Sequence, residues 1–246
     1  MIITDTEASK TIRLFPPEAI SRPPSRTPSE SHIPPPVHPS IQYGPGSSVV
    51  PPGYATTTKP TESITYIFEP RQGENSMILH PLATNEQDVI DHAYYISVNS
   101  NCFTPSSYIT SIWKYGRHKN FVGDFEIAAK NSKSVDTVFF RGMEHPIEEV
   151  LVTSSRLFYT QWTWKPAESH FILYWDDSLG GNSIACFKSK DKTNSNLLAK
   201  FIPRTHMRRP GREIEYTRLE VTPGGHELFE DVLISALIIE RLRTNT

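Results

Sequence analysis

The stretch FKSKDKTNSNLLAKFIPRTHMRRPGR (187–212) carries eight cations: Lys188, Lys190, Lys192, Lys200, Arg204, Arg208, Arg209 and Arg212. Asp191 is its one acid. Ammonium and guanidinium groups gathered on a short segment suit phosphates or anionic headgroups. Residues 61–246 hold 20 basic and 23 acidic residues, so the net +7 of this stretch leaves the remainder of that region near −10. The densest part, RTHMRRPGR (204–212), reads as a loop between two strands. The competing reading is a solvated basic loop that serves solubility.

Other chemistry is sparse. There is no HExxH, GxSxG, P-loop or GxGxxG pattern. The nine histidines are scattered, with only His32 and His38 spaced at all like metal ligands. Asp176 and Asp177 are adjacent, and adjacent strand residues point to opposite faces, so the pair reads as a turn and not as a carboxylate dyad. Glu148 and Glu149 read the same way. Trp162 and Trp164 share one strand face and read as core. No catalytic residue, metal ligand or cofactor is therefore expected. An enzyme would need a polar pocket with a perturbed ionisable group.

The formal net charge of −2 gives no sign of a nucleic-acid partner. Cys102 and Cys186 are too few for a disulfide scaffold and fit a reducing compartment. The N-terminus, MIITDTEASKTIRLF, has no apolar h-region, and no run of about 18 apolar residues occurs. An intracellular chain, cytoplasmic or peripheral at a membrane, is expected.

Residues 1–60 hold 13 of the 21 prolines. Such a segment buries too little apolar surface to offset its ordering entropy, so a disordered arm is expected, with polyproline II character clearest at IPPPVHP (33–39). Within it lies PPGY (51–54). Pro51, Pro52 and Tyr54 form the ligand pattern of WW domains, and a ubiquitin ligase is one plausible reader. The competing reading is chance in a proline-rich tract.

From about residue 61 the texture changes to short alternating runs. ITYIF (64–68) aligns Ile64, Tyr66 and Phe68. AYYISV (93–98) aligns Tyr94, Ile96 and Val98. NFVGDFEIA (120–128) aligns Phe121, Gly123, Phe125 and Ile127. LFYTQWTWK, HFILYW, SIACF and LLAKFI read as further strands, and EIEYTRLEV (213–221) changes phase in a way that predicts a bulge near Thr217. Many short strands at this spacing argue for an antiparallel barrel or sandwich over 61–246.

The chain closes on LFEDVLISALIIERLR (228–243). Glu227, Glu230 and Asp231 stand at its start and Arg241 and Arg243 at its end, as a helix dipole favours. Between them VLISALII (232–239) is apolar except for Ser235, and at helical pitch it has no wide polar face. Too short to cross a bilayer, it predicts a helix buried on all sides, threaded through a barrel or clamped between sheets.

The blocks TYIFEP (65–70), SIWKY (111–115), FRG (140–142), WTWK (162–165), LYWDD (173–177), SIACF (183–187) and ISALIIERLR (234–243), in this order, carry a resemblance. Over about 63–243 the chain resembles an uncharacterised family of fungal proteins, mostly from mushroom-forming basidiomycetes, known only as a domain of unknown function. That family looks like a relative of the tubby, phospholipid-scramblase and LURP-one group. The resemblance implies a mainly β, tubby-like antiparallel barrel around a hydrophobic C-terminal helix, and no established activity. Tubby-type domains bind phosphoinositides, which adds weight to a non-catalytic module docking on an anionic membrane through 188–212. An adaptor recruiting a WW-domain protein is the alternative.

Overall fold

The computed structural model describes residues 60–82, 93–104, 106–115, 120–129, 135–155, 159–166, 170–178, 180, 182–204 and 215–245. The proline-rich arm, apart from Pro60, lies outside them.

Thirteen strands are described: β1 (Ile64–Pro70), β2 (Ser76–Pro81), β3 (Tyr94–Ser100), β4 (Ser107–Lys114), β5 (Asn120–Ala128), β6 (Thr137–Phe140), β7 (Met143–Pro146), β8 (Leu151–Ser155), β9 (Thr160–Trp164), β10 (Leu173–Asp176), β11 (Ile184–Phe187), β12 (Leu197–Ile202) and β13 (Thr217–Val221). A four-residue helix, α1 (Ile147–Val150), separates β7 from β8, and the long helix α2 (Phe229–Thr244) ends the fold. The strands form one antiparallel sheet in the order β7-β6-β5-β4-β3-β2-β1-β13-β12-β11-β10-β9-β8. Consecutive strands thus pair except β7 and β8, and β1 pairs with β13 from Ile64↔Val221 to Phe68↔Thr217.

One ladder is missing from a complete circuit. The sheet is not closed: β7 and β8 are its two edges, and α1 joins them. Closure, which the strand pattern left open, is thus interrupted at this seam. Pro146 ends β7 without an N–H to extend a ladder, and the chain coils at Ile147 instead of turning straight into β8.

Helix α2 forms where the apolar run predicts it. Phe229, Val232, Leu233, Ile234, Ala236, Ile238 and Ile239 are all buried in the main core. Each large aliphatic side chain so buried contributes roughly 1.5–3 kcal/mol. Contacts reach the helix from both halves of the sheet. Tyr66 of β1 and Tyr94 of β3 pack on Phe229 at ring distances of 4.8 and 5.1 Å. Trp164 of β9 and Trp175 of β10 donate to Asp231 Oδ1 and Ser235 Oγ at 3.3 and 3.0 Å. Gly123 of β5 stands where a Cβ would meet Ile234 Cδ1 at 3.2 Å. A sheet that touches one helix from β1, β3, β5, β9 and β10 must curl around it. The helix is not long and apolar enough to cross a membrane.

Two local expectations change. No bulge occurs at Thr217: β13 begins there and keeps register with both neighbours. The register shifts lie at Ile112/Trp113 and at Cys186/Phe187. The first shift skips Val122, so that Ile112 pairs with Gly123 while Trp113 pairs with Phe121. An extra residue reverses side-chain parity. Phe121 therefore leaves the core face shared by Gly123, Phe125 and Ile127, and is 39% exposed on the outer face.

Candidate functional site

The basic stretch does not form one loop, because β12 runs through its middle. Lys188 and Lys190 stand exposed on the β11–β12 connection, whose ends meet where Lys188 N–H donates to Asn196 O at 2.8 Å. Lys200 is half-buried within β12, between Ala185 and Glu220 in register. Arg204 follows the far end of β12, and its N–H donates to Thr217 Oγ1 at 3.2 Å. Six residues of β12 set the two groups about 20 Å apart. Arg208, Arg209 and Arg212 lie outside the described residues.

Lys192 belongs to a different network. Its Nζ pairs with the buried Asp176 carboxylate and lies 5.2 Å from the Tyr159 ring centroid. Asp176 also accepts from Gln161 Nε2 at 3.1 Å and from the Ser178 N–H at 2.6 Å. Asp177 accepts from the Thr160 N–H at 2.7 Å. The two aspartates thus organise the end of β10 and its turn. Asp176 is in addition a buried acid that ties the Lys192 connection to β10, which its place in the sequence did not announce.

Lys188 adjoins a cleft. A cavity of about 570 Å³ is lined by Lys188, Asn194, Ser195 and Thr222, with Phe171 and Leu228 among its apolar walls and Glu227 also at its margin. A second cavity, of about 280 Å³, opens where Phe68, Phe201 and Leu237 meet Arg204, Glu215 and Glu240. Burial pushes the Glu240 carboxyl above its ordinary pKa, and Arg243, 3.6 Å away, works against that shift. Cations from the one basic stretch thus reach two separate cavities.

Trp162 and Trp164 are buried, as their shared face predicts. The Trp164 indole helps hold Asp231, which is buried in the first turn of α2 and pairs with Arg141 Nη2 at 2.5 Å. Burial raises the Asp231 carboxyl above its usual range, and Arg141 and the Trp164 hydrogen bond pull it down. Arg141 stands at φ 55° in the tight β6–β7 turn, followed by Gly142 at φ 82°. The FRG block marks that turn, but nothing in the sequence pairs it with a helix 90 residues further on.

Glu148 and Glu149 are exposed in α1. Among the described residues no group of three or more His, Cys, Asp or Glu side chains is placed to hold a metal ion. Pro51, Pro52 and Tyr54 lie outside the described residues.

Set against protein-family models, curated proteins and solved structures, the chain matches none.

Proposed function

We propose that this chain is a non-catalytic binding module, an incompletely closed relative of the tubby-type barrel, which docks on anionic lipid through the β11–β12 connection. The barrel reading is supported by the neighbour-to-neighbour strand order, the β1–β13 pairing and the buried helix that the sheet surrounds. One observation carries the lipid reading. Lys188 lines a cleft that also offers Asn194, Ser195 and Thr222, and Lys190 is exposed two residues further along the same connection. Ammonium groups with neutral hydrogen-bond donors suit a phosphate headgroup, and the apolar walls suit the start of its acyl portion.

Co-sedimentation of the full chain tests this, with neutral, phosphatidylserine and phosphoinositide vesicles at low and physiological salt. Pelleting on anionic vesicles should weaken with salt and be lost in Lys188→Ala/Lys190→Ala. Absence of pelleting, or pelleting that the double variant retains, would remove the reading.

The adaptor reading rests on PPGY (51–54) alone. Tyr54→Ala should abolish capture of the full chain by an immobilised WW domain. Unchanged capture would end it.

A further inference from the structure

The outer face of β3 to β7 carries an aromatic row that the core does not use. Trp113 and Phe121 lie opposite each other in register with ring centroids 4.8 Å apart. Phe121 stacks on Phe139 at 6.0 Å and 29°. Tyr95 is the register partner of Trp113 on the other side and extends the row onto β3. Phe121 and Phe139 are more than a third exposed. Aromatic side chains on adjacent strands of a solvent face leave apolar area in water, and an exposed patch of that kind marks an interaction surface.

Carboxylates flank the row. Phe139 is paired with Asp124 on β5 and with Glu144 on β7, so the three side chains run carboxylate, ring, carboxylate across neighbouring strands. Opposite side chains in a sheet lie about 5 Å apart at Cβ. Neither acid has an ion-pair partner among the described residues. Burial pushes the Asp124 carboxyl up, and Glu144 and then Glu126 push it further. Among the described residues the field beside Phe139 is therefore negative, next to rings whose faces attract cations.

We propose that this face docks a basic polypeptide segment of a partner protein. An arginine or lysine head sits on the Phe139 ring between Asp124 and Glu144, and the apolar part of its stem or neighbours lies on Phe121 and Trp113. Charge decides the class of occupant: the same carboxylates would repel an anionic membrane or a nucleic acid. The molecule already uses this contact at the end of the row, where Arg71 lies 6.0 Å from the Tyr95 ring centroid, and away from it, where Arg241 lies 5.1 Å from that of Tyr108.

Fluorescence anisotropy of a short labelled peptide alternating glycine and arginine, titrated with the full chain, tests the proposal. Wild type should bind with an affinity that falls as salt rises. Asp124→Asn/Glu144→Gln and Phe121→Ser/Phe139→Ser should each bind about tenfold more weakly. Glu148→Gln/Glu149→Gln removes the same charge at α1 and should bind like wild type. A Tm for each variant, from thermal unfolding, separates lost docking from lost folding. Equal weakening by the α1 variant would reduce the effect to net charge and overturn the proposal. So would absence of binding by wild type, or unchanged binding in the folded Asp124/Glu144 variant. A neutral oligosaccharide that binds the row independently of salt while the peptide does not would overturn it in favour of a glycan surface.

Discussion

Trp175 Nε1 donates a hydrogen bond to Ser235 Oγ at 3.0 Å in the interior of the sheet. Ser235 is the one polar residue in the apolar run of α2, and its hydroxyl donates in turn to Asp231 O at 2.5 Å. Two polar groups with no access to water thereby satisfy each other across 60 residues of chain. Ser235→Ala should strand the indole N–H and cost about 1–3 kcal/mol, read as a lower urea midpoint at unchanged m-value. An unchanged midpoint would mean that the indole finds another acceptor.

Arg141 and Asp231 make a pH-dependent prediction. Arg141 favours only the ionised carboxyl, and burial favours only the neutral one. Arg141→Met should cost roughly 1–3 kcal/mol at neutral pH, where Asp231 would be left charged and buried without its cation. Without Arg141 the folded-state pKa of Asp231 rises further above its unfolded value. The penalty is then full above the folded pKa and fades as pH falls through it toward the unfolded value. Denaturation of both proteins at neutral and mildly acidic pH checks the sign. A gap that widens on acidification would contradict it.

Gly123 and Gly225 are held by close approach. A Cβ on Gly123 would lie 2.6 Å from Phe139 O, and one on Gly225 would run into Leu198 O. These atoms are backbone, so relief requires strands to move. Each Gly→Ala variant should lose roughly 1–3 kcal/mol or more, whereas Gly224→Ala, with 3.6 Å to its nearest neighbour, should lose under about 1 kcal/mol. Urea midpoints of the three variants give the comparison.

The paired state of Lys192 separates it from its neighbours. Lys192→Met leaves Asp176 buried without its cation and should lower the Tm. Lys188→Ala and Lys190→Ala, on exposed side chains, should change the Tm little while carrying the whole loss of vesicle binding. A Lys192 variant with wild-type Tm would show that the network tolerates the charge alone.

The two thiols should differ in reactivity. Cys102 is exposed, and Cys186 is buried with its thiol pushed well above the ordinary range by burial first and Asp231 second. A thiol reagent at neutral pH should titrate one group in the native chain and a second only in denaturant. Two fast equivalents without denaturant would place β11 in an easily opened part of the fold.

The strands with strict alternation and the apolar terminal helix were legible from the sequence, because period-2 patterning and a helix without a polar face are local properties. LLAKFI is β12 in full, and the helix starts within a residue of its expected first position. Alternation marks β2, β4, β6, β7 and β8 less clearly. The short β6 and β7 meet at a tight turn, and β8 is an edge with four of its five residues exposed, so the signal there is weak. Alternation alone puts Phe121 on the core face, because the skipped residue Val122 shows only once β4 and β5 are paired.

Composition alone determined the basic character of 187–212 and the apolar character of α2. Only the tertiary structure decided which cations act together. β12 carries Lys188 and Arg204 to opposite ends of one strand, and buried Asp176 engages Lys192 in an ion pair. The same holds for Asp231 and Arg141, and for the Phe139 ring between Asp124 and Glu144. Each is a pairing made by strand register or by a sheet wrapped on a helix, and spacing along the chain alone does not show it.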